Sequence, residues 1–420
     1  MFRYFLVGIG ILLTLPFISP SVADSGSTNQ APATPHVKAQ NPSEAKEKKS
    51  PFTLKRMIQT LNIGLIAHQV HSLGVSQVCG IVSGSANAVM NPYWAPHSVD
   101  AHGMNHLVNH IFTHARNTTG IPKAVEVIDK HFDHNSFKHF GINKPSLQHF
   151  KGDENRTHIL EYFPQTSTPD GHGNAVASMI SGHGVGVVDP NTVSLHLYES
   201  DGLHHMRKIE AICRHTSENN KNSVSIINSS WAREGHYLDE VSEPHFIEKL
   251  AKSGCLLVKS AGNWAELLDR TKMDSHDALL RIESSNYRNG IAAHSNSGEV
   301  RAPGEQVMVL NRNGLLPCGT KFDPTMKCNF ATGTSFAAPI VSGVASQVVR
   351  ILDSTSYFAK MSPPDRVTLV SKIIHESHLA GVVNGKKAIE LAEHWNRAST
   401  NQKSPAPKDL RGISRGPLTF

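Results

Sequence analysis

GCLLVKSAGN (254–263) is a near-continuous apolar run that stops on a turn-forming Ala-Gly pair and an asparagine. A short apolar run of this kind, with no polar residue at every second position, fits a strand buried on both faces. Outward from it, AVEVID (124–129), VSLHLY (193–198) and SVSIINSS (223–230) read the same way. Between and after them lie helical patterns: HGNAVASMI (172–180), MRKIEAICRH (206–215), PHFIEKLAKS (244–253), AAPIVSGVASQVVRIL (337–352) and DRVTLVSKIIHES (365–377). Strands alternating with helices predict an α/β fold of three layers, a mainly parallel sheet with helices on both faces. In open sheets of this kind, sites form beyond the carboxyl ends of the strands.

The ends of the 420-residue chain look different from its middle. Arg3, an apolar run from Phe5 to Ile18, and small residues Ser21 and Ala23 read as a secretory signal over 1–23. The run is shorter than the ~20 residues of a bilayer span, no later segment reads as one, and no anchor is expected once the signal is removed. Residues 24–52, rich in Ser, Pro, Ala, Asn and Lys, read as a disordered linker. Residues 96–395 are expected to form the catalytic domain and 396–420 a basic flexible tail. The net charge of +6 sits mostly in that tail, which carries Arg397, Lys403, Lys408, Arg411 and Arg415 against Asp409. The body is close to neutral, so nucleic acid is not an expected partner. Export permits disulfides among the five cysteines. Cys318 and Cys328 flank a polar loop and are the first candidates; Cys213 and Cys255 can pair if the fold joins them, leaving Cys79 over.

Three reactive side chains stand at matching positions. Asp129 closes AVEVID, His172 opens HGNAVASMI, and Ser335 opens the helix within GTSFAAPIVSG (333–343). A serine is a weak nucleophile until a base takes its proton; a histidine does this near neutral pH, and a carboxylate fixes its tautomer. A serine at a helix start can also be a simple N-cap, and Asp133 rivals Asp129 but lies beyond the strand end. Asn263, directly after a strand, can offer its amide to an oxyanion.

The order Asp, His, Ser, with HGNAVA, AGN, APG (302–304) and GTSFAAPIVSG, resembles the subtilisin-like serine peptidases from about Ala124 to His394. SNSGEVRAPG (295–304) and GVVNGKKAIELA (381–392) resemble further stretches of that family. The resemblance implies a secreted or periplasmic serine endopeptidase with Asp129, His172 and Ser335 as triad and Asn263 in the oxyanion hole. It implies substrate contacts along Ser230, Trp231 and Ala232, where NSSWA (228–232) resembles the substrate-pairing strand, and along Ala261 and Gly262. Two departures stand out. Asn174 and Ala175 replace the usual Thr-His, and Ala232 replaces a glycine of the pocket wall, which suits small or unbranched side chains before the cut bond. The family also implies a folding prosegment, so residues 53–95 are either that or an N-terminal extension.

The chemistry needs no cofactor and protein or peptide is the expected partner. Calcium often steadies this family; no dense Asp/Asn loop argues for it here, and a structural calcium stays an open, unsupported option. There are 26 histidines, and His102, His106, His110 and His114 recur every four residues. A solvated stripe on an amphipathic helix is favoured over a zinc site, since no HExxH pattern occurs. The competing functions are a catalytically silent binding protein on the same fold and a His-rich metal-binding protein.

Overall fold

Alternation of strands and helices gives a parallel sheet here because the central strands are buried along their whole length, with helices covering both faces. A computed structural model describes residues 93–114, 122–142, 146–151, 158–161, 171–200, 205–231, 244–266, 276–311, 314–318 and 323–401. The signal, the linker, nearly all of 53–95, Cys79 and the far end of the tail lie outside them.

The main sheet contains β1 (Lys123–Asp129), β2 (Ser146–Lys151), β3 (His158–Glu161), β4 (Val193–Glu199), β5 (Ser225–Ser229), β6 (Cys255–Ser260), β7 (Leu279–Ser285) and β8 (Val300–Pro303). Their order is β3-β2-β4-β1-β5-β6-β7-β8. Neighbours are parallel except for the β2–β3 pair at the edge. Every residue of β5, β6 and β7 is buried, as a sheet covered on both faces requires. A smaller sheet joins β9 (Val307–Leu310), β10 (Leu316–Pro317) and β11 (Lys327–Ala331), and β12 (His378–Leu379) pairs with β13 (Val382–Val383).

The helices are α1 (Trp94–Ser98), α2 (Ala101–His114), α3 (His134–Phe140), α4 (His172–Ser181), α5 (His205–Asn219) and α6 (Pro244–Lys252). After the strands come α7 (Thr334–Leu352), α8 (Ser356–Lys360), α9 (Pro363–Glu376) and α10 (Gly385–Asn401). Successive residues of β5 show how they are layered. Asn228 accepts a bond from Ser342 Oγ of α7 at 2.9 Å, while Ser229 Oγ meets His205 Nε2 of α5 at 2.8 Å. Side chains alternate across a strand, so α5 and α7 cover opposite faces. α7 is long and apolar enough to cross a membrane by length and composition, contrary to the sequence expectation, yet all of it is buried. Its apolarity serves a core position.

The chain leaves β1 to build one side of the sheet through β4, then crosses to build the other from β5 onward. The carboxyl end of β1 therefore lies at the switch point, where a crevice opens between diverging connections. Two disulfides form, Cys213–Cys255 between α5 and β6 and Cys318–Cys328 between β10 and β11. Both pairings suit an oxidising setting outside the cytoplasm.

Trp94 and Ala95 are buried in the core within α1, and Gly385 N–H donates to Val99 O at 2.7 Å, so packed structure is present ahead of residue 96. At the other end α10 runs to Asn401, and Asn396 Nδ2 donates to Ile351 O at 2.8 Å, so ordered structure continues into the supposed tail. α2 presents Met104 and Val108 to the core and leaves His102, His106 and His110 exposed; the His114 side chain lies outside the described residues.

Candidate active site

Asp129 is the last residue of β1 and is buried. The loop after it is pinned by Glu199, at the end of neighbouring β4, which accepts bonds from His131 N–H at 2.7 Å and Phe132 N–H at 3.1 Å. α4 starts against this loop. Gly173 N–H donates to Lys130 O at 2.9 Å, and a Cβ on Gly171 would fall 1.6 Å from His131 O, so only glycine permits the approach. Asn174 belongs to the same junction, accepting from Asp133 N–H at 2.9 Å. Asp133 is engaged there and by Ser136 Oγ at 2.8 Å, which leaves Asp129 to meet the histidine.

His172 Nδ1 lies 2.8 Å and 3.0 Å from the two carboxylate oxygens of Asp129. A carboxylate accepts, so Nδ1 carries the proton and Nε2 of the neutral ring is the free base. Burial pulls the pKa of His172 down, but the Asp129 charge and hydrogen bond outweigh it, and the net shift is upward.

Ser335 is the second residue of α7 and is buried to 8 % exposure. The His172 ring meets its neighbour Phe336 with centroids 5.4 Å apart, which brings the imidazole to the start of α7. Among the described residues no hydrogen bond joins His172 to Ser335. Catalytic hydrogen bonds are often long without substrate and tighten in the complex.

Asn263 sits on the turn after β6. Its Oδ1 accepts from Thr334 N–H at 2.8 Å and from Thr334 Oγ1 at 3.1 Å, and Thr334 Oγ1 itself accepts from Gly262 N–H at 3.0 Å. A backbone N–H can only donate, so the amide orientation is determined and Nδ2 is the outward donor. Gly333 lies between Asn263 and Ser335. A Cβ there would stand 3.0 Å from Ser335 Oγ and 3.3 Å from Asn263 Nδ2. The structure thus gathers Asp129, His172, Ser335 and Asn263 at the switch point, with only the His–Ser bond not formed.

The expected substrate contacts line the ends of β5 and β6. Ser230 is buried and its Oγ accepts from Asn228 Nδ2 at 3.0 Å, so its hydroxyl is committed inside the fold. The Trp231 ring packs on His205 at 5.0 Å, and Trp231 O accepts from Lys259 Nζ at 3.1 Å. Ala261 is held by its N–H to Ile282 O at 3.0 Å, and Gly262 adopts φ 106°, a conformation that favours glycine. Ala232 lies outside the described residues. Thr334 and Asn296 are site-building residues that the sequence did not single out. Their partners lie 30 or more positions away, and no local spacing reveals that. Among the described residues no group of three His, Cys, Asp or Glu is arranged to hold a metal ion.

Residues 120–387 match the model of the subtilase family, and the chain belongs to that family of serine peptidases. A search of curated proteins finds no match. Among solved structures the chain is similar to a lanthipeptide protease, at 19% identity over 71% of this chain and 94% of that one, with a TM-score of 0.48. It is also similar to the prenylagaramide maturation protease PagA, at 20% identity over 68% and 98%, TM-score 0.44. A protease from Pseudoalteromonas arctica aligns at 16% identity over 69% and 94%, TM-score 0.46.

Proposed function

We propose that the chain is an exported endopeptidase using Asp129, His172 and Ser335 as a triad. Ser335 Oγ attacks the peptide carbonyl while His172 Nε2 takes its proton. Asp129 holds the ring in the tautomer this needs and balances the imidazolium that forms. Asn263 Nδ2 and the Ser335 N–H donate to the oxyanion, aided by the positive end of α7. His172 then protonates the leaving amine, and water repeats the sequence on the acyl-enzyme. The observation that carries the reading is the 2.8 Å Asp129–His172 bond beside a Gly333 flanked by Ser335 Oγ and Asn263 Nδ2.

The experiment is fluorophosphonate labelling, with cleavage of a quenched peptide blocked at both ends. Wild type should label and cleave internally, and Ser335→Ala should do neither. Cleavage surviving in Ser335→Ala ends the reading, and cleavage only of peptides with free termini ends the endopeptidase part. Export after a signal ending at Ala23 is tested by sequencing the mature N-terminus.

A further inference from the structure

Resting on that reading, the geometry points to Asn296 as the residue that positions the oxyanion donor Asn263. Asn296 is 1 % exposed and lies on the loop between β7 and β8, far from Asn263 in sequence. Its Oδ1 accepts from Trp264 N–H at 2.9 Å and from Glu266 N–H at 3.0 Å. Its Nδ2 donates to Ala261 O at 3.1 Å and lies 3.4 Å from Glu266 Oε2. Its own N–H donates to Gly262 O at 3.0 Å. One side chain and its backbone therefore bond on both sides of Asn263 without touching Asn263.

The neighbouring backbone completes the clamp, with Ala265 N–H on His294 O at 2.9 Å and Ser297 N–H on Glu266 O at 3.0 Å. Gly262, at φ 106°, is fitted to it: a Cβ there would fall 2.6 Å from Asn296 Nδ2. The opposite side of Asn263 is held by Thr334. The turn thus has two anchors. Thr334 fixes how the amide is rotated, and Asn296 fixes where the turn stands relative to Ser335. Asn263 itself is exposed and Ala265 adopts φ 58°, so the turn depends on these anchors rather than on packing of its own tip.

Misplacing a transition-state donor by about an ångström costs on the order of 10²-fold in rate, while ground-state binding is little affected. Asn296→Ala is therefore expected to lower kcat about 10- to 10²-fold with KM within about twofold. The deciding test is a double-mutant cycle with Asn263→Ala, rates being expressed per fluorophosphonate-titrated site so that unfolded protein does not count. If Asn296 acts through Asn263, removing it costs less than about twofold once Asn263 is alanine. An equal cost in both backgrounds, or full kcat per titrated site in Asn296→Ala, overturns the proposal. Should the alanine variant fail to fold, Asn296→Asp keeps both accepted bonds but sets a carboxylate oxygen against Ala261 O and Glu266; its kcat loss should likewise vanish in the Asn263→Ala background. Additivity there overturns the proposal equally. Failure of the protease reading is separate: wild type itself would then not take up fluorophosphonate.

Discussion

Replacing Thr334 by valine removes one hydroxyl and keeps the shape of a fully buried side chain. That hydroxyl donates to Asn263 Oδ1 at 3.1 Å and accepts from Gly262 N–H at 3.0 Å, while the Thr334 backbone N–H still reaches Asn263 Oδ1 at 2.8 Å. One of the two bonds orienting the amide is lost. A net hydrogen bond is worth about 0.5–1.5 kcal/mol, so if its loss falls on the transition state, kcat drops about 2- to 13-fold. This is far milder than the ~10²–10³ expected for Asn263→Ala. The stranded Gly262 N–H costs a further ~1–3 kcal/mol of stability. Thr334→Ser restores the hydroxyl and should recover most of both. The assay is kcat on a quenched peptide per titrated site, with denaturant midpoints measured in parallel. Unchanged kcat in Thr334→Val beside a large loss in Asn263→Ala refutes the claim that this hydroxyl orients the donor.

Because the pKa of His172 is raised and only the neutral ring can accept a proton, the acid limb of kcat/KM should lie above the ordinary imidazole value, with activity growing as pH rises through it. Asp129→Asn removes the groups that raise it; the limb should fall to lower pH while the rate drops ~10⁴-fold, and an unmoved limb in a pH profile contradicts the assignment. His205 is buried with its pKa pushed down to about 3 by burial and by Lys259 and Lys208. Its contribution is present above the ordinary imidazole value and erodes as pH falls toward 3, by ~1.4 kcal/mol per pH unit, because the unfolded chain protonates first. Urea midpoints of His205→Gln should show a shallower loss on acidification than wild type; parallel curves count against this. Reducing the two disulfides should lower stability by ~2–4 kcal/mol each, read as a fall in Tm with added thiol.

Strands such as Cys255–Ser260 were legible because both of their faces are buried and their sequence is nearly unbroken apolar. β7 was not, since Leu-Leu-Arg-Ile-Glu-Ser-Ser places two charges mid-strand. The fold tolerates them by pairing Arg281 with Glu299 and Arg301 with Glu283, both at 2.6 Å, and those partners come from elsewhere in the chain. Asp129, His172, Ser335 and Asn263 could be picked out because each stands where a strand ends or a helix begins, a place with its own local signature. The supports of the site had no such signature. SNSGEVRAPG (295–304) resembles a family stretch, but nothing in it marks a task for its asparagine, and only the folded sheet brings Asn296 against residues 261–266. The extent of α10 was missed for a similar reason: Asn396 is polar, yet its amide is buried on the end of α7.

α7 is buried along its whole length and carries Ser335 as its second residue. Ser335 therefore shares the fate of the deepest part of the molecule, and amide protons along this helix should be among the last to exchange with heavy water. Warming should thus leave turnover intact until the whole scaffold melts, without an earlier, separate collapse at the reacting centre.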